Sequence, residues 1–229
     1  MQRIICILIG YMCGLIQTGY IVARLKGIDI KQHGSKNAGT TNVLRTMGLK
    51  YGLIVFAGDV LKCGLAILIA HLLFHNSYPD MLPLLKLYAA AGTILGHNYP
   101  FYLNFKGGKG IAATAGLCFF ALGPIMSILG LATFFGIFFL THYVSLGSIL
   151  VYVGIIIESL ILSKNGYWGQ AIATTYFAEY NLVILFLALM AWWRHKENIK
   201  NLLRGTERKT YLKGKPEIDV DGKEQEKHG

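Results

Sequence analysis

The sequence predicts an all-α polytopic membrane protein: seven transmembrane helices, with the N-terminus outside and the C-terminus in the cytoplasm. Three observations predict it. Hydrophobic residues make up 54% of the 229-residue chain and charged residues only 15%, against about 25% charged in an average soluble chain. The apolar residues are also gathered into long runs. Residues 4–23 hold no Asp, Glu, Lys or Arg, and from Gly110 to Ser163 the only charged residue is Glu158. A bilayer takes about 20 apolar residues per span, and no polar face recurs in that second run, as a soluble core helix would require. Finally, the basic residues segregate to one set of connections. This composition excludes a disordered chain and leaves no room for a separate soluble module.

The elements follow in order. Span one covers about 3–24; the run continues through Tyr20 to Arg24 without a small-residue cleavage pattern, so it reads as a retained span and not a signal peptide. A polar, glycine-rich stretch runs from Lys26 to Lys50, and span two from about 51 to 74. After a short turn with Pro79, span three covers about 82–97. A second polar stretch, Gly96 to Gly110, leads to a short span four at about 111–122, and Pro124 marks the break into span five, about 124–141. The turn from Thr141 to Ser145 opens span six, about 146–162, and a polar connection from Ser163 to Thr175 precedes span seven, about 176–193. Residues 1–205 form one membrane domain, and 206–229 are expected to be a polar, disordered cytoplasmic tail.

Charge sets the orientation. With seven spans, eighteen of the 22 Lys and Arg fall on the side of the C-terminus and only Arg3 and Lys164 on the other, while Lys62 and Lys86 lie within spans. The positive-inside rule then places the C-terminus and both polar stretches in the cytoplasm. It also accounts for the formal charge of +10 without nucleic acid. Trp192 and Trp193 are expected at the inner interface, and Tyr167 and Trp168 at the outer one. Asp59 and Lys62, at i and i+3, are expected to pair inside span two. Gly10/Gly14 and Gly92/Gly96 read as sites of close helix packing. The four cysteines lie in apolar stretches without metal-ligand spacing and read as packing residues.

Three segments carry chemistry. The first, Gly34 to Arg45, gathers glycines, Ser35, Asn37, Thr41, Asn42 and a terminal Arg45; Thr41 and Asn42 read as N-caps of a helix holding Arg45. The second, Gly96 to Gly110, ends in Lys106-Gly107-Gly108-Lys109-Gly110, a natural phosphate nest before a helix N-terminus. It is not a Walker A loop, so nucleotide hydrolysis is not indicated. The third, Arg194 to Glu207, puts His195 and Asn198 on one helical face, with Glu197 turned elsewhere. Each alone also fits an ordinary basic loop or juxtamembrane helix; together, on one membrane face, they point to a phosphate site. The run His75 to Asp80 matches an H-x-x-x-x-D acyltransferase pattern but falls on the predicted outer face and is discounted. A transporter of organic phosphate anions is the alternative that these features leave open.

The segments "GSKNAGTTNVLRTMG", "GHNYPFYLNFKGGKGIAATAG" and "RHKENIKNLLRGTERK", in this order and with "LKGIDI" before them, resemble the three motifs of the bacterial acyl-phosphate:glycerol-3-phosphate acyltransferases, the PlsY family. The resemblance spans Gly10 to about Lys209. It implies a seven-helix enzyme of the bacterial inner membrane with its active site facing the cytoplasm. The implied reaction moves a fatty acyl group from a long-chain acyl phosphate to the 1-hydroxyl of sn-glycerol 3-phosphate. The products are lysophosphatidic acid and phosphate. It implies no cofactor and no metal. The implied partners are the two substrates and membrane lipid, not nucleic acid, with an acyl-phosphate-forming enzyme supplying the donor. By position it puts catalytic roles on Ser35, Arg45, His195 and Asn198. Substrate or phosphate binding falls on Asn37, Thr41, Asn42, Lys106, Gly107, Gly108, Lys109, Gly110 and Ser145, and a structural role on Glu197. Lys36 stands where the pattern commonly has Gly, a departure that leaves the local backbone geometry open and adds positive charge.

Overall fold

The computed structural model describes residues 1–162, 172–212 and 214–220; Lys164, Tyr167 and Trp168, expected at the outer interface, lie outside them. Among the described residues the regular structure is helical. The α-helices are α1 (Gln2–Gly14), α2 (Thr18–Leu25), α3 (Thr40–Met47), α4 (Leu49–Phe74), α5 (Leu82–Asn98), α6 (Ile111–Leu117), α7 (Pro124–Thr141), α8 (Val144–Leu162), α9 (Thr174–Arg194) and α10 (Lys196–Leu203). Five stretches are long and apolar enough to cross a membrane: Gln2–Leu25, Leu49–Phe74, Pro124–Thr141, Val144–Ile161 and Thr174–Arg194. α5 and the shorter Ile111–Leu122 complete the apolar helices. That segment ends in a π turn, Cys118–Leu122, before Gly123 and Pro124 break the chain.

The expected single first span is broken. Leu15, Ile16 and Gln17 separate α1 from α2, and groups from elsewhere satisfy the freed backbone. Lys62 Nζ donates to the Ile16 carbonyl (2.7 Å) and the Tyr102 hydroxyl to that of Leu15 (2.5 Å). The buried Gln17 amide donates to the carbonyls of Gly14 and His97 (both 3.2 Å). A membrane-embedded helix tolerates a break only where such partners exist.

α1 crosses α5 at backbone contact. A Cβ added at Gly10, Gly14, Gly92 or Gly96 would strike a carbonyl oxygen of the opposite helix: Ala89, Thr93, Ile7 and Tyr11 respectively. The glycine pairs therefore pack helices, as their spacing predicted. The main core lies among α4, α5, α6, α8 and α9, around Leu85, Leu87, Leu117, Tyr152, Ile155 and Leu187. A second core under α2 and α3 holds Ala23, Ile30, Val43, Met47 and Tyr51.

At the end of the bundle away from the cavity described below, Arg3 forms a two-pronged pair with Glu179 (2.5 and 2.6 Å), which also accepts from the Tyr88 hydroxyl (2.7 Å). This pair ties the start of α1 to the start of α9. The expected Asp59–Lys62 pair is present at 2.7 Å, with both side chains almost wholly buried.

The tail departs from expectation. Disorder was expected from residue 206, yet the described part, 206–212 and 214–220, runs back across the helix ends. Thr210 N–H donates to the His142 carbonyl (2.8 Å), Glu217 N–H to that of Arg45 (3.1 Å) and Ile218 N–H to that of Thr46 (2.9 Å). Val220 is buried in the second core and Ile218 packs against it. Two apolar residues suffice because they dock on a surface already built by α2 and α3. Residues 221–229 lie outside the described residues.

Candidate active site

The first polar segment is shaped by its own side chains. Asn42 Oδ1 accepts from the Ser35 amide (2.8 Å), and its Nδ2 donates to the His33 carbonyl (3.1 Å). Asn37 Oδ1 accepts from the Gly39 amide (2.8 Å), a turn in which Asn imitates backbone. These two asparagines therefore build the loop; Asn42, expected to bind substrate, has its amide committed to that task. Lys36 takes a left-handed φ of 57°, so this lysine holds a conformation that glycine adopts without strain. The helix begins one residue before the expected caps, at Thr40 after Gly39, with no side-chain cap. Arg45 stands in its last turn, beside the cavity.

The second segment corrects the predicted nest. The Gly107 and Gly108 amides donate to the carbonyls of Asn98 (3.1 Å) and His97 (3.0 Å), so they close the end of α5 and are not free for an anion. Their carbonyls accept from Arg194 Nη2 (2.9 and 2.7 Å), and a side chain on Gly108 would run into the His97 ring. Lys106 is exposed and does not line the cavity. Lys109 and Gly110 do. Gly110 has a φ of 82°, a left-handed turn that glycine adopts without strain, and it sets Lys109 at the start of α6.

The third segment brings in a residue that the sequence reading left without a role. Lys109 Nζ donates to Asn198 Oδ1. Asn198 Nδ2 donates to Glu207 Oε1 (2.7 Å), which also accepts from the Ser145 hydroxyl (2.7 Å). Glu207 thus joins three of the predicted site residues. Glu197 is exposed, bonded only to Lys200 (3.2 Å) among the described residues. His195 is buried, its Nδ1–H donating to the Ala191 carbonyl (2.8 Å), which leaves Nε2 as the ring's lone-pair acceptor.

These groups surround one cavity of about 270 Å³. Ser35, Asn37, Thr41, Asn42, Arg45, Lys109, Gly110, Ser145, His195 and Asn198 line it, with Asp59, His97, Glu207 and Thr210, which sequence reasoning did not place there. Spacing gave the Asp59–Lys62 pair, but not that His97 Nδ1 would lie 2.8 Å from Lys62 Nζ. Apart from Thr40 and Ser148 the remaining wall is apolar, with Leu49, Leu53 and Phe56 of α4 and Phe134, Phe135 and Phe138 of α7. Leu53 and Phe135 are also exposed on the outer surface of the bundle. Among the described residues no cluster of three or more His, Cys, Asp or Glu has a metal-binding arrangement.

Burial sets the electrostatics. It lowers the Lys109 pKa, with Glu207 opposing and Arg194 and Arg45 adding to the shift. It lowers that of Arg45, with the charge of Arg208 adding and those of Glu207 and Glu217 opposing. His195 is brought down to about 4, first by burial and then by Lys109, so it is neutral near pH 7. Partly desolvated cations of this kind gain from an anionic ligand that restores their lost solvation.

Over residues 4–205 the chain matches the model of a family described as glycerol-3-phosphate acyltransferase. A glycerol-3-phosphate acyltransferase of Clostridioides difficile is 41% identical over 207 residues, covering 90% of this chain and 94% of the relative. One from Bacillus subtilis is 38% identical over 204 residues, covering 89% and 95%. The crystal structure of PlsY, an integral membrane glycerol 3-phosphate acyltransferase in its glycerol 3-phosphate form, superposes with a TM-score of 0.76 at 30% identity, covering 92% of this chain and 96% of that one. A lysophosphatidic acid form superposes equally well. The match takes in the broken first span, both polar loops and the His195–Asn198 helix, and the chain belongs to the glycerol-3-phosphate acyltransferase family.

Proposed function

We propose that this membrane protein transfers a long-chain acyl group from an acyl phosphate to the 1-hydroxyl of sn-glycerol 3-phosphate. The observation that carries the reading is the two-sided cavity. Arg45 and Lys109 stand on a polar side, and the α4 and α7 side chains form an apolar wall that continues to the outer surface of the bundle. A phosphate with a long apolar chain fits that combination, and the names of the relatives supply the acceptor.

In this reading Arg45 and Lys109 hold the two phosphates and offset their repulsion, Arg45 with a planar fork and Lys109 as a point charge. Ser35 and Asn198 orient the acyl carbonyl and its developing oxyanion, and Ser145, Thr41 and the Gly110 turn complete the phosphate contacts. The hydroxyl oxygen attacks the acyl carbon, the bond from that carbon to the phosphate oxygen breaks, and inorganic phosphate leaves. Neutral His195, with Nε2 open, accepts the hydroxyl proton. Each phosphate seated nearby raises its proton affinity, so it becomes a stronger base as the site fills. The acyl phosphate is already activated, so the scheme uses no covalent acyl-enzyme. The donor must come from an enzyme that forms acyl phosphates. The protein works in the bacterial inner membrane with this cavity facing the cytoplasm.

The test is glycerol 3-phosphate acylation by the purified protein in lipid, with palmitoyl phosphate and palmitoyl-CoA run in parallel. Lysophosphatidate and phosphate should form from the acyl phosphate alone. Arg45→Ala and Asn198→Ala should each lower turnover about 100-fold or more, the scale of a lost charge-bearing or orienting group. Product from the thioester alone would overturn the donor, and full turnover in both variants would overturn the residue roles.

A further inference from the structure

We propose that the C-terminal strap, whose ordered contacts run from Glu207 to Val220, is a positioning element for Arg45, with Thr210 as its working side chain. The proposal rests on the phosphate-binding role given to Arg45 above. It starts from three contacts with one residue. Arg45 Nε and Nη2 donate to the Thr210 hydroxyl (3.0 and 2.5 Å), Nη2 donates to the Arg208 carbonyl (2.8 Å), and the Arg45 carbonyl accepts from the Glu217 amide (3.1 Å). Side chain and backbone are thus gripped by a segment lying beyond residue 205, where the match to the family model ends.

The strap has its own anchors. Thr210 is 2% exposed and its amide is bonded to the His142 carbonyl. The Tyr211 ring lies 4.7 Å from that of His142. Downstream, Ile218 is bonded to the Thr46 carbonyl and Val220 is buried in the second core. The segment therefore ties α3 to the turn between α7 and α8, across the mouth of the cavity.

The chemistry of the grip matters. The groups bonded to the guanidinium, a hydroxyl and a carbonyl, are neutral and fix its direction; the strap's carboxylates, Glu207 and Glu217, act on it only through their charge, which Arg208 opposes. A guanidinium has five N–H donors. The strap engages those of Nε and Nη2, and among the described residues the two on Nη1 have no partner. An unrestrained arginine would lose much rotamer freedom on seizing a phosphate; one already held by the strap has lost it before the ligand arrives. An inhibitory strap would place a carboxylate on Arg45, and Glu207 instead bonds Ser145 and Asn198.

Three variants test this: Thr210→Val, Thr210→Ser and a chain ending at Leu212, which keeps Glu207 and Thr210 but loses the downstream anchor. Each is compared with the full chain in lipid, by KM and kcat for both substrates and by calorimetric binding of inorganic phosphate. Thr210→Val should raise the KM of a phosphate-bearing substrate and weaken phosphate binding by about tenfold, the scale of one hydrogen bond to a charged group. Its thermal midpoint should hold. Thr210→Ser should restore both, and the shortened chain should resemble Thr210→Val. Unchanged KM and phosphate affinity in Thr210→Val would overturn the proposal, as would tighter phosphate binding by the shortened chain, which would make the strap a lid. If the full chain turned over neither donor, the acyltransfer reading would fall, while the phosphate titrations would still decide the role of the strap.

Discussion

At the scale of single residues, the site is a set of polar groups whose partners determine what they can do. The sequence names Gly107, Gly108 and Asn42 as binding groups as readily as Arg45 or Lys109, because composition shows a donor without showing what takes it. The structure separates them: the two glycine amides close α5 and Asn42 holds its own loop, while Arg45 and Lys109 reach the cavity. Thr210 was missed because nothing in a charged tail signals that it turns back, and Glu207, the last residue of the third segment, carried no sign of which side chains it would bond. His195 shows how burial reads out in solution. Unfolded, its imidazole takes a proton near pH 6.5; folded, only near 4. Between those values the unfolded chain binds more protons, so the folded state weakens as pH falls from about 6.5 toward about 4. Thermal midpoints measured across that range should fall less steeply in His195→Gln than in the parent protein; identical slopes would show that His195 is not held neutral.

At the scale of elements, legibility depended on whether a helix carries its own cause. The turn at Pro124, the start of α6 after Gly110 and the α1–α5 glycines were visible because proline, glycine and small-residue spacing act locally. The break at Leu15–Gln17 was not, because its causes are Lys62, Tyr102 and the Gln17 amide meeting across the fold. The glycines allow a contrast within one protein. A methyl on Gly96 would strike the Tyr11 carbonyl, whereas one on Gly136 of α7 would meet nothing within 4 Å. Gly96→Ala should destabilise by about 1–3 kcal/mol, as overpacking does, and Gly136→Ala should leave the thermal midpoint where it is. Equal effects would mean that α1 and α5 are not in backbone contact.

At the scale of the molecule, one cavity constrains how the chain passes through the membrane. Arg45 at the end of α3, Lys109 before α6, Ser145 at the start of α8 and His195 after α9 all line it, so these four points share a side. Between successive points the chain goes out and back, through α4 and α5, then α6 and α7, then α8 and α9. Before Arg45 it crosses once, through α1 and α2, and Arg3 sits beside Glu179 at the start of α9. We propose from this that the chain makes seven spans, three excursions and one crossing, two more than the five stretches long and apolar enough to cross on their own; the argument is independent of the charge count. The segment Ile111–Leu122 is the weak point by length. At about 1.5 Å per residue its 12 residues reach only about 18 Å of a core about 30 Å thick. Much of it is buried against α4 and α5, so protein as well as lipid surrounds it. Cysteines placed singly at the exposed Ser77, Lys106 and Lys200 test the arrangement with a membrane-impermeant maleimide. Ser77→Cys should label in intact cells stripped of their wall, and Lys106→Cys and Lys200→Cys only after the membrane is opened. Labelling of Lys200→Cys from outside would reverse the orientation. If Lys106→Cys and Lys200→Cys labelled from different sides, the shared cavity could not lie on one membrane face, and the phosphate site assembled from all three segments would fall with it.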